Sequence, residues 1–467
     1  MKVEEILALE NPSDQVTQFK ERSTPAPDIK TIRAQYSVSE HSIFDQTKRP
    51  DKIVYDENDN PIRIEPVARI GVGMEKLITK RAVSFLFGND VEYSTASTNQ
   101  SEIEVLNIIK KILKSNKVRA LNRRIGRACI ASTEVAEYWY KLNTGTRHNR
   151  YGRETAFQIK CAVFSPMEGN DLYPLFDDIG NLISFSREYV VQQADEEHRY
   201  FETYTDKLIL KYKLGTGKTE WEMIESTTHD IGKIPIIYTT QEETDYSEIT
   251  ALRERLEWLL SHFADINDYH AAPKIFVQGK INKFISKNSA GSILEGETGS
   301  QANYLSWDHA PEAVKLEIET LLNLIYTLTQ TPDVSFESVK GLNAMSGIAL
   351  KLMFLDAHLK VEDKKEIFDE YMIRRANLLK TMVGGILPAL KPAAENIEID
   401  ATITPYMIDA TAENIDMLVS ATGGKQVLSQ LTATKLSRLV DDPEAEFSQI
   451  QKEEQQAATF ETAGSTV

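Results

Sequence analysis

The chain is poor in what would place it outside a reducing compartment or inside a membrane. Its 467 residues contain only two cysteines, Cys129 and Cys161, too few for a disulfide framework, so both are expected as free thiols. No run of 18 or more apolar residues exists, so no transmembrane helix is expected. The first residues, MKVEEILALENPSDQ, carry acids and no long apolar stretch, which speaks against a secretory signal. Cations are also in deficit: 53 Lys and Arg against 70 Asp and Glu leave a net charge of −17. That excludes a protein that grips nucleic acid over its whole surface, but not one past which nucleic acid slides. A hydrophobic content of 41% and a charged content of 26% are globular values. The length suggests roughly two to four compact units.

Motifs for catalysis are equally scarce. The eight histidines are scattered, with no HExxH, CxxC or Cys–His cluster, so no metal site is expected. No GxSxG elbow is present. The best lure is GTGKT at Gly215–Thr219. A phosphate loop requires a glycine where this chain has Tyr212, and it must open a helix. The flanks LILKYKL and EWEMIE read as strands, so a hairpin turn is expected. Gly71 and Gly73 lack the third glycine of a dinucleotide fingerprint and fall inside an expected helix. Catalytic, cofactor and metal residues are therefore none.

What is present is a sequence of contrasting segments. Residues 1–66, broken by six prolines, read as an arm of short elements rather than a domain with its own core. Helical spacing predicts helices over about 66–87, 101–115 and 117–133, the second carrying Lys110, Lys111 and Lys114 opposite its apolar side. Between 134 and 240, short β-branched and aromatic runs alternate with turn signals, predicting an antiparallel meander and an α+β fold. After Pro235 helices dominate. Ile249, Leu252, Leu256, Leu259, Phe263 and Ile266 form a narrow seam over 247–270 that fits packing within the chain or against a second copy equally well. A β-like insert, 274–309, and a helix over about 310–330 follow. TPDVSFESVKGLNAMSG then leads to a third long helix from near Gly347 to Gly384–Gly385. A short strand, IEIDATIT, precedes helices at 411–422, 424–430 and 432–438 and an acidic segment, 441–467, whose end, AATFETAGSTV, is expected to be disordered.

Four stretches carry a resemblance. RIGVGMEKLITKRAVSFLFGNDVEY (69–93), HDIGKIPIIYTTQEETDYSEITALRERLEWLLSHFADINDY (229–269), TPDVSFESVKGLNAMSGIALKLMFLDAHLKVEDKKEIFDEYM (331–372) and LTATKLSRLVDDPEAEFSQIQKE (431–453) stand in the order found in the portal proteins of tailed bacteriophages, and the chain resembles the SPP1 portal-like family. The match is patchy over 94–228.

That resemblance implies an N-terminal arm and wing over 1–245, stem helices at 246–272 and 310–331 and a clip at 273–309. It further implies a tunnel loop at 332–346, the long helix and return strand of the wing over 347–412, a crown at 413–457 and a disordered tail at 458–467. It implies a homo-oligomeric ring, twelve subunits in the virion or thirteen when overproduced alone. The ring would sit at one capsid vertex, assemble in the bacterial host cytoplasm, and pass double-stranded DNA without sequence specificity. Implied partners are the terminase large subunit, a head-completion or adaptor protein, and the major capsid and scaffolding proteins, with no membrane and no cofactor. Within this frame the tunnel-loop residues are Val334, Phe336, Lys340, Gly341, Asn343, Ser346 and Gly347, with Lys340 the main basic group near DNA. The clip interface residues are Phe276, Val277, Phe284, Tyr304 and Trp307. The readings left in competition are another virion connector or minor head protein, and a P-loop-type NTPase.

Overall fold

Short elements and long helices alternate along the chain as the periodicities require. The protein is represented by a computed structural model that describes residues 3–22, 25–193, 196–271, 275–278, 281–284, 294–296, 301–304, 310–333, 352, 354–406, 411–423, 427–437, 439–440 and 442–464. The chain divides into one unit of residues 1–333 with 356–406 and a second of 334–355 with 407–467.

The arm holds α1 (Val3–Leu7), α2 (Pro12–Phe19), α3 (Ile29–Tyr36) and a hairpin of β1 (Lys52–Tyr55) and β2 (Pro61–Glu65). Asn11 and Asp28 cap α2 and α3 through their side-chain oxygens. The arm packs onto the meander. Ile6, Val16 and Phe19 are buried with Phe201, Leu210 and Tyr212 of the meander.

Next come α4 (Met74–Leu86), β3 (Glu92–Ser94), α5 (Gln100–Ser115) and α6 (Val118–Ser132). The meander follows as β4 (Glu134–His148), β5 (Thr155–Phe164), β6 (Asn170–Phe176), β7 (Leu182–Gln193), β8 (Glu196–Tyr204), β9 (Leu208–Leu214), β10 (Glu222–Thr228) and β11 (Ile236–Thr240). It forms two antiparallel sheets, ordered β11-β4-β5 and β10-β9-β8-β7-β6. Ala136, Phe164, Leu172, Phe185, Tyr204, Ile236 and Tyr238 are buried between them. GTGKT lies in the turn between β9 and β10, which pair antiparallel with Lys213 opposite Glu222. Gly217 takes a left-handed φ of 71°, and Lys218 reaches Glu222 at 2.7 Å. No helix follows the motif, so the NTPase reading lacks its phosphate cradle.

The rest of the first unit comprises α7 (Thr250–Ala271), β12 (Ile275–Gln278), β13 (Ile281–Phe284), β14 (Leu294–Gly296), β15 (Gln301–Tyr304), α8 (Ala310–Leu328), α9 (Leu355–Ile386), α10 (Lys391–Asn396) and β16 (Asp400–Thr402). β12 pairs with β15, β13 with β14, and β16 with β3, all antiparallel. The second unit contains α11 (Thr411–Thr422), α12 (Gln430–Ser437) and α13 (Pro443–Gly464). Helix and strand thus mix as α+β.

Three boundaries differ from the sequence reading. Helix α4 starts at Met74, not near 66, because residues 68–72 give their backbone N–H groups to side chains of α7. Residues 427–429 are non-helical, and 424–426 lie outside the described residues. Helix α13 runs to Gly464, past the expected break at 458, since Glu453, Glu454, Gln455, Gln456, Ala457 and Ala458 are all ready helix formers.

Both cysteines are free. Burial pushes the Cys129 thiol up to about 12 and raises Cys161 as well, so neither is a reactive thiolate. Among the described residues no helix is long and apolar enough to cross a membrane.

Candidate functional site

Helices α7 and α8 pack side by side, and the seam foreseen on α7 is used within the chain. Ile249 and Leu256 are buried with Leu321 and Ile325 of α8 and with Met74 and Ile78 of α4, while Leu252 and Leu259 pack at the edge. Phe263 and Ile266 are half-buried.

A second stripe on α7 is polar. Arg253, Glu257, Ser261 and Asp265 recur every four residues and so share one face. Against it lies extended chain. The Ala68 N–H donates to Asp265 Oδ1 at 2.8 Å, Ile70 N–H to Ser261 Oγ at 2.9 Å, and Val72 N–H to Glu257 Oε1 at 2.8 Å. Two extended residues advance about 6.6 Å and four helical residues about 6.0 Å, so the two ladders stay in register over three rungs. Arg253 continues the contact to Glu75 at 2.9 Å, and Arg49 clasps Asp265 at 2.7 Å. These groups are hydrophilic, so an apolar-seam search passes over them. Their four-residue spacing was the available signal.

His41 completes this anchorage from the arm. Its Nδ1 lies 2.6 Å from Glu257 Oε1 and its Nε2 lies 2.9 Å from the Gln35 carbonyl. Both neighbours accept only, so both ring nitrogens are satisfied only in the imidazolium form. Burial and Arg253 oppose that charge. The Glu257 carboxylate and the Gln35 carbonyl overcome them and hold the His41 pKa above its usual 6.5. Burial would raise Glu257, yet His41, the Val72 N–H and Arg253 hold it below the usual carboxylate range. A raised histidine pKa gives stability that is complete below about 6.5 and is lost as pH rises through the folded value. Thermal melts of the intact chain are therefore expected to fall in midpoint as pH rises from 6 to 9. His41→Gln should flatten that slope.

The far end of α8 is the root of the segment expected as the tunnel loop. Three devices fix it. Gln330 adopts a left-handed φ of 47°, and Thr331 N–H returns to the Tyr326 carbonyl at 2.9 Å. Arg81 of α4 donates to the Pro332 carbonyl at 2.7 Å and sits over the Tyr326 ring. Lys360 of α9 donates to the Thr329 carbonyl at 2.9 Å and pairs with Asp245 at 2.9 Å, which Lys364 also reaches. Burial would raise Asp245, but the two lysines keep its pKa below normal. Lys360 thus meets a carbonyl at the C-terminal end of α8, the polarity its dipole requires. The chain leaves α8 from a base tied to α4 and α9.

The expected loop residues themselves, Val334, Phe336, Lys340, Gly341, Asn343, Ser346 and Gly347, lie outside the described residues, as does Trp307. Phe276 and Val277 lie on β12 opposite Asn303 and Ala302. Tyr304 lies on β15 opposite Ile275, and Phe284 lies on β13 opposite Leu294. Four of the five clip positions therefore fall on strands. Among the described residues no group of three or more His, Cys, Asp or Glu could hold a metal.

Helices α7 and α8 thus pack together, short strand pairs lie between them in the chain, and the end of α8 is tied to α9. The family described as phage portal protein, SPP1 Gp6-like, matches residues 19–459. The chain belongs to that family. No curated protein matches it. Among solved structures, the neck of an empty GTA particle computed with C6 symmetry is similar at 11% identity, covering 79% of this chain and 89% of that one, with a TM-score of 0.42. The neck of a native GTA particle computed with C12 symmetry is similar at 12% identity over the same shares, with a TM-score of 0.39.

Proposed function

We propose that this portal-family chain is a non-enzymatic subunit of a ring, twelve copies in the virion, set at one capsid vertex and enclosing a bore for double-stranded DNA. Terminase would dock during filling, and a head-completion protein afterwards. The observation that carries this reading is the family match over 19–459.

Surfaces left bare in one chain support self-association. On α8, Leu316, Thr320, Leu324 and Leu328 lie at four-residue spacing on a face turned away from α7, and the three leucines are exposed. In the β1–β2 hairpin, Ile53 is opposite Ile64. Tyr55 and Ile62 follow at two-residue spacing, and all four are exposed. A lone two-stranded hairpin is marginally stable in water, and such faces ask for cover. Different patches on opposite partners make a heterologous contact, the kind that closes rings. Among the described residues the strands of 275–304 form two-stranded pairs, so pairing with a neighbour's strands would complete them. The net charge of −17 suits a wall that repels phosphate and keeps DNA moving, with Lys340 the cation that touches it.

Leu316→Glu/Leu324→Glu tests this reading. Both sites are exposed, so the subunit should fold normally. Sedimentation should shift from about a dozen copies of 52.8 kDa to single subunits. A variant that sediments with wild-type mass would remove the α8 face from the interface.

A further inference from the structure

One charged surface has no part in the stem, the clip or the loop root. Residues 110–127, KKILKSNKVRALNRRIGR, hold eight of the chain's 53 cations and none of its 70 acids. They span the end of α5, the elbow at Asn116–Lys117 and most of α6. Lys110, Lys111, Lys114, Lys117, Arg119, Arg123, Arg124 and Arg127 are all exposed. The apolar positions between them, Ile112, Leu113 and Ile125, are buried. Both helices therefore turn their cations outward together.

Some of this charge is answered locally. Arg119 pairs with Asp90 and Arg124 with Glu168, and Arg123 donates to the Phe87 carbonyl. Lys110, Lys114 and Lys117 make no side-chain hydrogen bond or ion pair among the described residues. Lys117 holds a left-handed φ of 54°, where glycine or asparagine would be at less cost. Its side chain is thus not there for the turn. The β4–β5 hairpin tip extends the patch. Lys111 reaches the Tyr151 carbonyl at 3.3 Å and Arg153 reaches Glu104, so the tip runs along α5 on the N-terminal side of the elbow. Arg147 is held by Glu154.

We propose that the α5–α6 elbow is a docking surface for the phosphate backbone of double-stranded DNA, separate from the DNA bore. The choice of nucleic acid over an acidic protein follows from what the surface lacks. Protein interfaces centre on buried aromatic and aliphatic anchors. Here every exposed residue from 110 to 127 is charged or small, so charge alone must hold the partner. A polymer of evenly spaced anions read without regard to sequence fits that chemistry. In a chain of net −17, a cationic patch also localises the contact to one place.

A closed circular plasmid tests this, because it cannot thread a closed ring. The full-length protein should retard relaxed circular plasmid in a gel at 50 mM salt and release it by 200 mM. Lys110→Glu/Lys114→Glu/Lys117→Glu should weaken binding at least tenfold. The milder Lys→Gln triple variant should lower the slope of log K against log salt by about 2.7, at 0.9 per lost contact. Sedimentation mass, read on the same samples, should not change. A ring of full mass that ignores the plasmid, a triple variant that binds as tightly as wild type, or retention of poly-L-glutamate without the plasmid would overturn the proposal while leaving the portal reading intact. A monomer that still binds plasmid through these lysines would support the proposal and count against the portal reading.

Discussion

Alanine at Glu257 should lower folding stability by about 3–5 kcal/mol, the cost of removing one member of a buried ionic group. Glu257 accepts from His41, the Val72 N–H and Arg253, and its side chain is fully buried. Its loss leaves an imidazolium, a guanidinium and a backbone donor in a dry site. Arg253 would keep Glu75 alone, whose Oε2 already has no partner. Damage should concentrate where α7 meets residues 68–75, so hydrogen exchange at Val72 and Ile70 should speed up most. Glu257→Gln keeps two acceptor contacts and should lose less. Urea unfolding gives the number, and a loss under 1 kcal/mol would show that α7 is held by its apolar side alone.

Arg375→Ala should be as severe. Arg375 is fully buried on α9 and grips Glu137 of β4 with two hydrogen bonds at 2.7 and 2.8 Å. It also donates to Asn122 of α6 at 2.7 Å and to Tyr93 of β3 at 3.3 Å. One guanidinium thus joins the long helix to both a sheet and the helical layer; burial opposes its charge, but Glu137 outweighs it and holds the Arg375 pKa well above its ordinary value. Removing it strands the Glu137 carboxylate, at about 3–5 kcal/mol. Arg375→Leu combined with Glu137→Leu should recover most of that loss, because apolar pairs of similar volume often replace buried ion pairs without penalty. If the double variant is no more stable than Arg375→Ala, the contacts to Asn122 and Tyr93 dominate instead.

These two sites also show what the sequence could and could not disclose. Apolar periodicity placed α5, α6, α7 and α8 closely, since each buries one stripe. Turn residues at Gly180–Asn181 and Gly215–Gly217 separate meander strands, but Asn143–Gly145 falls within β4, where the pairing with β5 is irregular; the strand on each side of GTGKT excluded a phosphate loop. The start of α4 was misplaced because Val67 and Ile70 continue its apolar rhythm. Nothing local indicates that Ala68, Ile70 and Val72 surrender their N–H groups to a helix nearly 200 residues later. Glu137 and Arg375 lie still farther apart, 238 positions, and each looks like a solvated charge until the fold brings them together. Strands β12 to β15 were legible as β-like chain. The order of four phrases identified the family, which no single motif did. The lysines of α5 were visible as one polar helix face, but their union with the arginines of α6 required the elbow at Lys117.

Electron microscopy of the purified full-length chain, viewed down the particle axis, tests the central claim most directly. A closed ring of about twelve or thirteen copies around an open hole wide enough for a DNA duplex is the expected image. Solitary compact particles of subunit mass, with no central hole at any concentration, would contradict it.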